Sequence, residues 1–504
     1  MSGLNSYRII LRSSAVMGAA SVANIVVGLV RMKVAAVLLG PSGVGLIGIL
    51  QSLIGTAAGL AALGFGSVGI RQIAEAAGNN RADHVAAARR ALFWGTMVLA
   101  SLGGLVFFLL RDQLAVRVLD DPLRSGEIGW LAIGVVLGVA SASQNALLIG
   151  LRRIGDLARL QIASGVLSAV VGVAALLVWR ENGVVIFLLG APLASFVLGH
   201  WFVWQLGRIQ GGPTPLRTIV GQWKIMATLG AAFMVSNLAG VVGQLLARSM
   251  VQHELGAASL GQFQAAWSIS VTYLGFVLQS MATDYYPRLT AAIGNRTDAR
   301  QLVNEQTEVA LLLGAPVLIA MMALAPWIVR LLYSHEFDLA SDVLRWQVMG
   351  DILKIASWPL GFVLLAAGAG KTYMLTETLA MMVFLLGVWF GLPLVGIEAT
   401  GLSFFIMYTG YLPLVFWLAR RRIGFAWRRA VVGLMIGLLL AALAILALSR
   451  ISELTALLIG CALACLFGLF GLGRLGSMAN LTGPVGHLAD LCRKIMSTIG
   501  VRLS

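Results

Sequence analysis

Five charged side chains lie deep inside long apolar stretches of this chain: Arg31, Lys33, Arg248, Asp351 and Lys354. A Lys or Arg at the centre of a membrane-spanning helix costs about 2.5 to 3.5 kcal/mol, so it normally faces a partner or a water-filled cavity. Four of the five are cations, and an arginine can grip phosphate oxygens through two parallel hydrogen bonds. These residue types at this depth therefore predict a binding site for an anionic substrate.

The strongest polar pattern lies in one apolar stretch. Gln347, Asp351, Lys354 and Trp358 follow one another at spacings that place all four on one face of a helix, and Asp351 and Lys354 can pair there. Two interpretations stay open. The face belongs to a functional site, or the charged pair neutralises itself and only packs the helix bundle.

Arg345 and Trp346 precede this face, nearer the outer end of the same stretch. Tryptophan and long basic side chains commonly anchor helices at the membrane–water interface. We expect interfacial anchoring for both.

The remaining charged candidates are cations on the first apolar stretch and acids near the ends of later ones. On a helix, Arg31 and Lys33 point about 200° apart, so one of them should reach a neighbouring helix or the membrane interface. Asp284, Glu308 and Glu377 are candidates to bind a coupling proton or Na⁺. An ordinary interfacial charge is the simpler interpretation of each acid.

Membrane-spanning helices must position all of these residues. Of 504 residues, 59% are hydrophobic and 11% are charged, and the mean hydropathy is +0.90. We predict an all-α polytopic membrane protein with about fourteen spans, at about residues 13–40, 44–70, 91–110, 128–150, 157–178, 183–206, 225–248, 260–284, 306–333, 343–367, 372–392, 400–419, 430–449 and 454–472.

Basic residues are unevenly distributed over the predicted loops. With the amino terminus in the cytoplasm, about 25 of the 36 Lys and Arg residues fall on the cytoplasmic side and about 8 on the opposite side. The strongest marker is the loop between spans 12 and 13, with Arg420, Arg421, Arg422, Arg428 and Arg429. We therefore predict that both termini are cytoplasmic and that the net charge of +15 reflects topology, with no nucleic acid as partner.

Two stretches separated by 216 residues resemble each other. Leu-Gly-Pro-Ser-Gly-Val-Gly at 39–45 matches Leu-Gly-Ala-Ala-Ser-Leu-Gly at 255–261, and Gly-Asn at 78–79 matches Gly-Asn at 294–295. Two matches at one offset indicate an internal duplication. The same offset aligns Arg248 with the residue between Arg31 and Lys33, which gives each repeat a cation at the same depth.

The duplication predicts two lobes, at 1–222 and 223–420, with six spans each. Because six is even, both lobes share one orientation and are related by a parallel pseudo-twofold axis along the membrane normal. Spans 13 and 14, at 421–472, lie outside the repeat. The segment 473–504 is predicted to be an amphipathic cytoplasmic tail on the membrane surface.

Motifs of soluble enzymes are not convincing in this chain. Two Gly-x-Gly-x-x-Gly matches, at 43–48 and 64–69, have no βαβ unit around them, and small residues at this spacing serve close helix packing in lipid. The five histidines have no metal-ligand spacing. We predict that the chain is not an enzyme and needs no metal or cofactor, apart from coupling to H⁺ or Na⁺.

Three motifs together resemble one family of transporters. Trp346-Gln347-x-x-Gly350-Asp351-x-x-Lys354, with Gly-Pro-x-Gly-x-Gly at 40–45 and Arg248 at the end of span 7, resembles the Wzx-type O-antigen and common-antigen flippases of the multidrug/oligosaccharidyl-lipid/polysaccharide (MOP) exporter superfamily. The resemblance covers about residues 10–422. It implies a V of two six-helix lobes around a central cationic cavity, in which Arg248, Asp351 and Lys354 are candidates.

The resemblance also implies a substrate and partners. The expected activity is movement of undecaprenyl-pyrophosphate-linked oligosaccharide from the cytoplasmic to the periplasmic leaflet of the bacterial inner membrane by alternating access. The expected partners are that lipid-linked glycan, membrane lipids, and polysaccharide polymerase or chain-length machinery. Fourteen spans are also typical of lipid II flippases and exopolysaccharide exporters, so the glycan stays open. A cation-coupled drug exporter of the same fold is the other alternative, and Arg31, Arg248 and Lys354 argue against it.

Overall fold

The computed structural model describes residues 2–78, 82–206, 216–479 and 491–492, and α-helices dominate these ranges. The helices are α1 (Ser2–Ala61), α2 (Phe65–Gly78), α3 (Ala82–Leu109), α4 (Arg111–Leu114), α5 (Ser125–Gly150), α6 (Ile154–Trp179), α7 (Val184–Gln205), α8 (Leu216–Ala292), α9 (Arg296–Ala323), α10 (Ala325–Leu332), α11 (Leu339–Ala366), α12 (Gly370–Val395), α13 (Glu398–Ile423), α14 (Arg429–Ser449) and α15 (Glu453–Ala479).

Within the described residues, ten helical segments are long and apolar enough to cross a membrane. Two of them, Val16–Ala61 and Ile154–Gln205, contain 46 and 52 residues and each holds two predicted spans. Helix α8, with 77 residues, holds predicted spans 7 and 8. The prediction of an all-α polytopic membrane protein is confirmed.

Two predicted span boundaries were wrong. Span 2 ends at Ala61 and not at residue 70, because Leu63 and Gly64 adopt positive φ and turn the chain before α2. Predicted span 9 is divided at Leu324 into α9 and α10. Pro326, at the start of α10, cannot donate the backbone hydrogen bond that a continuous helix requires.

Helices α1 and α8 each contain one break, and the two breaks lie at equivalent positions of the predicted repeat. Gly40 has φ 64° and ψ −167°, and Gly256 has φ 78° and ψ 177°. Glycine adopts a positive φ with almost no steric penalty, whereas other residues rarely do. The same break at an offset of 216 residues supports the internal duplication.

The helices that follow the two breaks touch each other through a second pair of equivalent glycines. A Cβ on Gly45 would collide with the Ala257 carbonyl oxygen and lie 2.8 Å from the Gly261 amide nitrogen. A Cβ on Gly261 would lie 2.6 Å from the carbonyl carbon of Pro41. Only glycine allows the two backbones to come this close.

By its contacts, the chain divides into two compact units. One comprises Met1–Gly261 with Leu332–Ser334, and the other comprises Gln262–Leu331 with His335–Ser504. The lobes at 1–222 and 223–420 remain a prediction. Most of the predicted tail at 473–504 lies outside the described residues.

Helix α11 is the most buried of the ten candidate spans and forms the centre of the second unit. Its apolar residues surround the helix and pack against α9 and α13, in a core that includes Leu353, Leu360, Val303 and Val415. A helix that is apolar all round is typical of a buried position. The predicted polar face of Gln347 to Trp358 therefore lies inside a protein core.

Candidate functional site

Asp351 is a buried carboxylate on α11, with 1% of its surface exposed. The Ser270 hydroxyl donates a hydrogen bond of 2.6 Å to Asp351 Oδ2. Among the described residues, Asp351 Oδ1 has no hydrogen-bond partner, and neither do the two amide atoms of Gln347, one turn earlier. A buried carboxylate in these surroundings is costly as an anion, and holding a proton or a cation relieves the cost.

Lys354 lies almost one turn after Asp351 and is half-buried. Its ammonium nitrogen lies 5.6 Å from the ring centroid of Phe404 and 5.9 Å from that of Tyr408. In the described part of the chain no carboxylate lies within salt-bridge distance of Lys354, so the predicted direct pair with Asp351 does not form. Lys354 instead interacts at longer range with the carboxylates of Asp351 and Glu377.

Aromatic rings surround this polar group. The Tyr411 hydroxyl donates a hydrogen bond to Glu377 Oε1. Trp358 stacks on Tyr285 with 6.0 Å between ring centroids, and the Tyr285 hydroxyl donates to the Pro359 carbonyl at 3.0 Å. Helix α11 and its neighbours therefore form a polar centre with one half-buried cation and two acids, surrounded by tyrosine, tryptophan and phenylalanine rings.

Arg31 and Lys33 contact different parts of the first unit. The Arg31 guanidinium lies 3.9 Å from the Phe187 ring centroid and donates a hydrogen bond to the Phe187 carbonyl. The Lys33 ammonium donates to the Tyr333 carbonyl, in the short segment after α10. The two side chains therefore point apart, as their spacing predicted, and the structure does not bring them together at one ligand.

Arg248 is buried, with 6% of its surface exposed, on the half of α8 before the break at Gly256. Its Nη1 donates to Ser52 Oγ at 3.3 Å and to the Gln244 carbonyl at 3.2 Å. Ser52 belongs to α1, so Arg248 joins helices from both repeats within the first unit.

Two of the predicted coupling acids form ion pairs. Asp284 is exposed and lies 3.0 Å from the guanidinium of Arg288. Glu308 is buried on α9 and lies 3.1 Å from Arg474 Nε on α15. These contacts give both acids a partner, and in this arrangement Glu308 fastens α15 to α9.

Arg345 is fully buried, so the prediction of interfacial anchoring was wrong for this residue. Only 1% of its side chain is exposed, and its two terminal nitrogens bind Glu453 at 3.0 and 2.6 Å. The i, i+3 neighbour Asp342 adds a third contact at 3.3 Å. Nearby, Glu398 accepts a hydrogen bond from Arg450 and thereby raises the pKa of that guanidinium above its ordinary value.

Residues 34–342 match a family described as polysaccharide biosynthesis protein, Polysacc_synt_3, and the match covers more than half of the chain. The chain belongs to this family. It is similar to proteins named lipid III flippase from Escherichia coli (strain K12) and Shigella flexneri, each 25% identical over 419 residues, or 80% of this chain and 97% of the relative.

Solved structures share the fold of this family member. An inward-facing MATE multidrug resistance transporter of the MOP superfamily has a TM-score of 0.69 at 16% identity, over 80% of this chain and 94% of that one. The lipid II flippase MurJ in an inward closed conformation has a TM-score of 0.66 at 13% identity, over 91% of this chain and 99% of that one. The predicted similarity to flippases is confirmed by the lipid III flippases, and the predicted fold is confirmed by the solved structures.

Proposed function

We propose that this membrane protein flips an undecaprenyl-pyrophosphate-linked oligosaccharide from the cytoplasmic to the periplasmic leaflet of the bacterial inner membrane, for the synthesis of a cell-surface polysaccharide. Membership of the polysaccharide biosynthesis family and the similarity to lipid III flippases support this function. A pyrophosphate-sugar head group is too polar to cross hydrocarbon unaided, whereas its lipid tail can stay in the bilayer. The protein then acts as a transporter and not as an enzyme.

The observation that carries the proposal is the position of Lys354. The residue is half-buried on the most buried helix, and its ammonium lies near the rings of Phe404 and Tyr408. No carboxylate of the described residues lies within 4.0 Å of it. A cation kept at such a position costs several kcal/mol in lipid and fits an anionic ligand. Arg248 and Arg31 add further positive charge on other spans.

We also propose that Asp351 takes the coupling proton. Asp351 Oδ1 and the amide of neighbouring Gln347 are buried without partners among the described residues. One proton satisfies a carboxylate, whereas a bound metal cation needs several oxygen ligands around it. The Lys354 ammonium and the Ser270 hydroxyl act on Asp351, and the Asp351 carboxylate acts in turn on the Tyr273 and Tyr408 hydroxyls.

The glycan itself has two candidates. Similarity to lipid III flippases favours a common-antigen or O-antigen type of oligosaccharide. The lipid II flippase matches a larger share of this chain, 91% against 80%, although at 13% identity that likeness concerns the fold alone. A drug exporter is disfavoured because the Lys354 ammonium would repel its cationic substrates.

The lipid that co-purifies with the protein tests this proposal. The full chain is extracted gently from cells that make surface polysaccharide, and the bound lipid is identified by mass spectrometry. We expect a polyisoprenyl pyrophosphate with its glycan, and a loss of that lipid in Lys354→Ala but not in Lys371→Ala, which removes an exposed cation at the start of α12. Phospholipid alone in both samples would contradict the proposal.

A further inference from the structure

Residues 420–429 run from the last turn of α13 to the first residue of α14 and carry five arginines: Arg420, Arg421, Arg422, Arg428 and Arg429. No acidic residue lies in this loop or in the first turn of α14. None of the five guanidinium groups forms an ion pair with a carboxylate of the described residues, whereas the arginines of segments 121–127 and 153–159 do form such pairs. The loop therefore presents a concentrated positive charge that the described part of the protein leaves unneutralised.

The backbone of this basic loop, residues 420–429, is fixed by side chains of α9. Asn304, 4% exposed, donates from Nδ2 to the Ala426 carbonyl at 3.1 Å and accepts with Oδ1 from the Arg428 amide at 2.8 Å. Arg300 Nε donates to the Ile423 carbonyl at 2.6 Å. Mutual repulsion would move Arg428 and Arg429 away from the three arginines of α13, and these bonds fix the backbone between the two groups.

Aromatic side chains fix the same loop from within and mark its depth. Phe425 is fully buried, and Trp427 lies 4.8 Å from it and stacks on Phe416. The Arg421 guanidinium lies 3.9 Å above the ring of Trp417, which is 46% exposed. Tryptophan is enriched at the level of lipid head groups, so we expect the Trp417–Arg421 pair at the depth of the phosphates.

We propose that the basic loop binds the head groups of anionic phospholipids and selects them over zwitterionic ones. A guanidinium fork matches two phosphate oxygens, and an unpaired arginine need not break an internal ion pair before it binds one. A loop that only recorded membrane orientation would need positive charge but not the fixed backbone that Asn304 and Arg300 impose. This proposal does not rest on the transported substrate.

Lipid selectivity of the full-length protein tests the proposal. The protein is purified in detergent, mixed with equimolar phosphatidylglycerol and phosphatidylcholine, and its bound lipids are counted by native mass spectrometry. Arg421→Gln/Arg428→Gln is compared with Arg152→Gln/Arg159→Gln, which removes one exposed arginine from the loop after α5 and one from the start of α6. Elution volume and thermal stability of each variant confirm that it is folded.

We expect about a 25-fold loss of affinity for phosphatidylglycerol in the loop variant and little change in the control, since each basic group near an anionic surface contributes about a fivefold factor. Arg421→Lys/Arg428→Lys, which keeps the charge but loses the fork, should lie between them. Equal loss in both glutamine variants, or no loss in either, would overturn the proposal. Binding of inorganic pyrophosphate to the same variants is measured in parallel. If the loop variant loses pyrophosphate binding but keeps phosphatidylglycerol binding, the loop binds free phosphate and the proposal is overturned as well.

Discussion

A single methyl group at Gly261 should push apart the two repeated segments that meet there. Its Cβ would lie 2.6 Å from the carbonyl carbon and 2.9 Å from the Cα of Pro41, and no side-chain rotation relieves a clash with backbone. Overpacking of this kind costs about 1 to 3 kcal/mol. The helix propensity gained by alanine applies in both arrangements and cancels. The ratio of separated to touching segments should therefore rise about 5- to 150-fold in Gly261→Ala.

Disulfide formation between cysteines at Ser42 and Ala258 measures this equilibrium, in a chain whose three native cysteines have been replaced. These positions flank the crossing at Gly45 and Gly261, so the disulfide should form readily, block transport, and release it on reduction. Gly261→Ala should slow the cross-link. Gly275→Ala is the matched control, because its Cβ would have no neighbour within 4 Å. Equal cross-linking in both variants would refute the steric argument, and undiminished transport by the fully cross-linked protein would place the gate elsewhere.

Three further predictions concern topology, substrate and coupling. Single cysteines in the loop at 420–429 should be shielded from an impermeant thiol reagent in intact cells, while ones near Ser334 should react, and the reverse pattern would contradict every loop assignment. Arg248→Ala and Lys354→Ala should each abolish surface glycan at unchanged protein level, and Arg248→Lys should restore only part because the bidentate fork is lost; full activity of both alanine variants would remove these residues from the mechanism. Asp351→Asn should raise the free energy of unfolding by about 1 to 3 kcal/mol, because a buried charge is removed. Transport by this variant should no longer respond to a pH gradient. An unchanged response would exclude Asp351 as the proton carrier.

Local patterns in the sequence predicted most of the fold. Long apolar stretches can span lipid only as helices, so composition alone determined the all-α class. The repeated glycines at 40 and 256 predicted equivalent loops, and the structure places the same left-handed break at both. The end of span 2 was missed because hydropathy does not register the turn at Leu63 and Gly64, where the backbone and not the polarity changes.

Partners of the buried charges were harder to predict, because ion pairs depend on distant residues. Glu453 is 108 residues from Arg345, and Arg474 is 166 residues from Glu308. No local spacing signals such a contact. The polar face of Gln347 and Asp351 was predictable from helical periodicity. Its unpartnered amide and carboxylate oxygen depend on the residues that neighbouring helices place opposite, such as Ser270 of α8 and those of α13.

Leaflet exchange in vesicles tests the central proposal most directly. The purified chain is reconstituted into vesicles that contain a fluorescent undecaprenyl-pyrophosphate-linked glycan, and the fraction of glycan that a membrane-impermeant quencher can reach is followed over time. Active protein should make glycan from the inner leaflet reachable, and Lys354→Ala should not. Equal rates in vesicles with the native chain, with Lys354→Ala and without protein would contradict the assignment of this chain as a flippase for lipid-linked oligosaccharide.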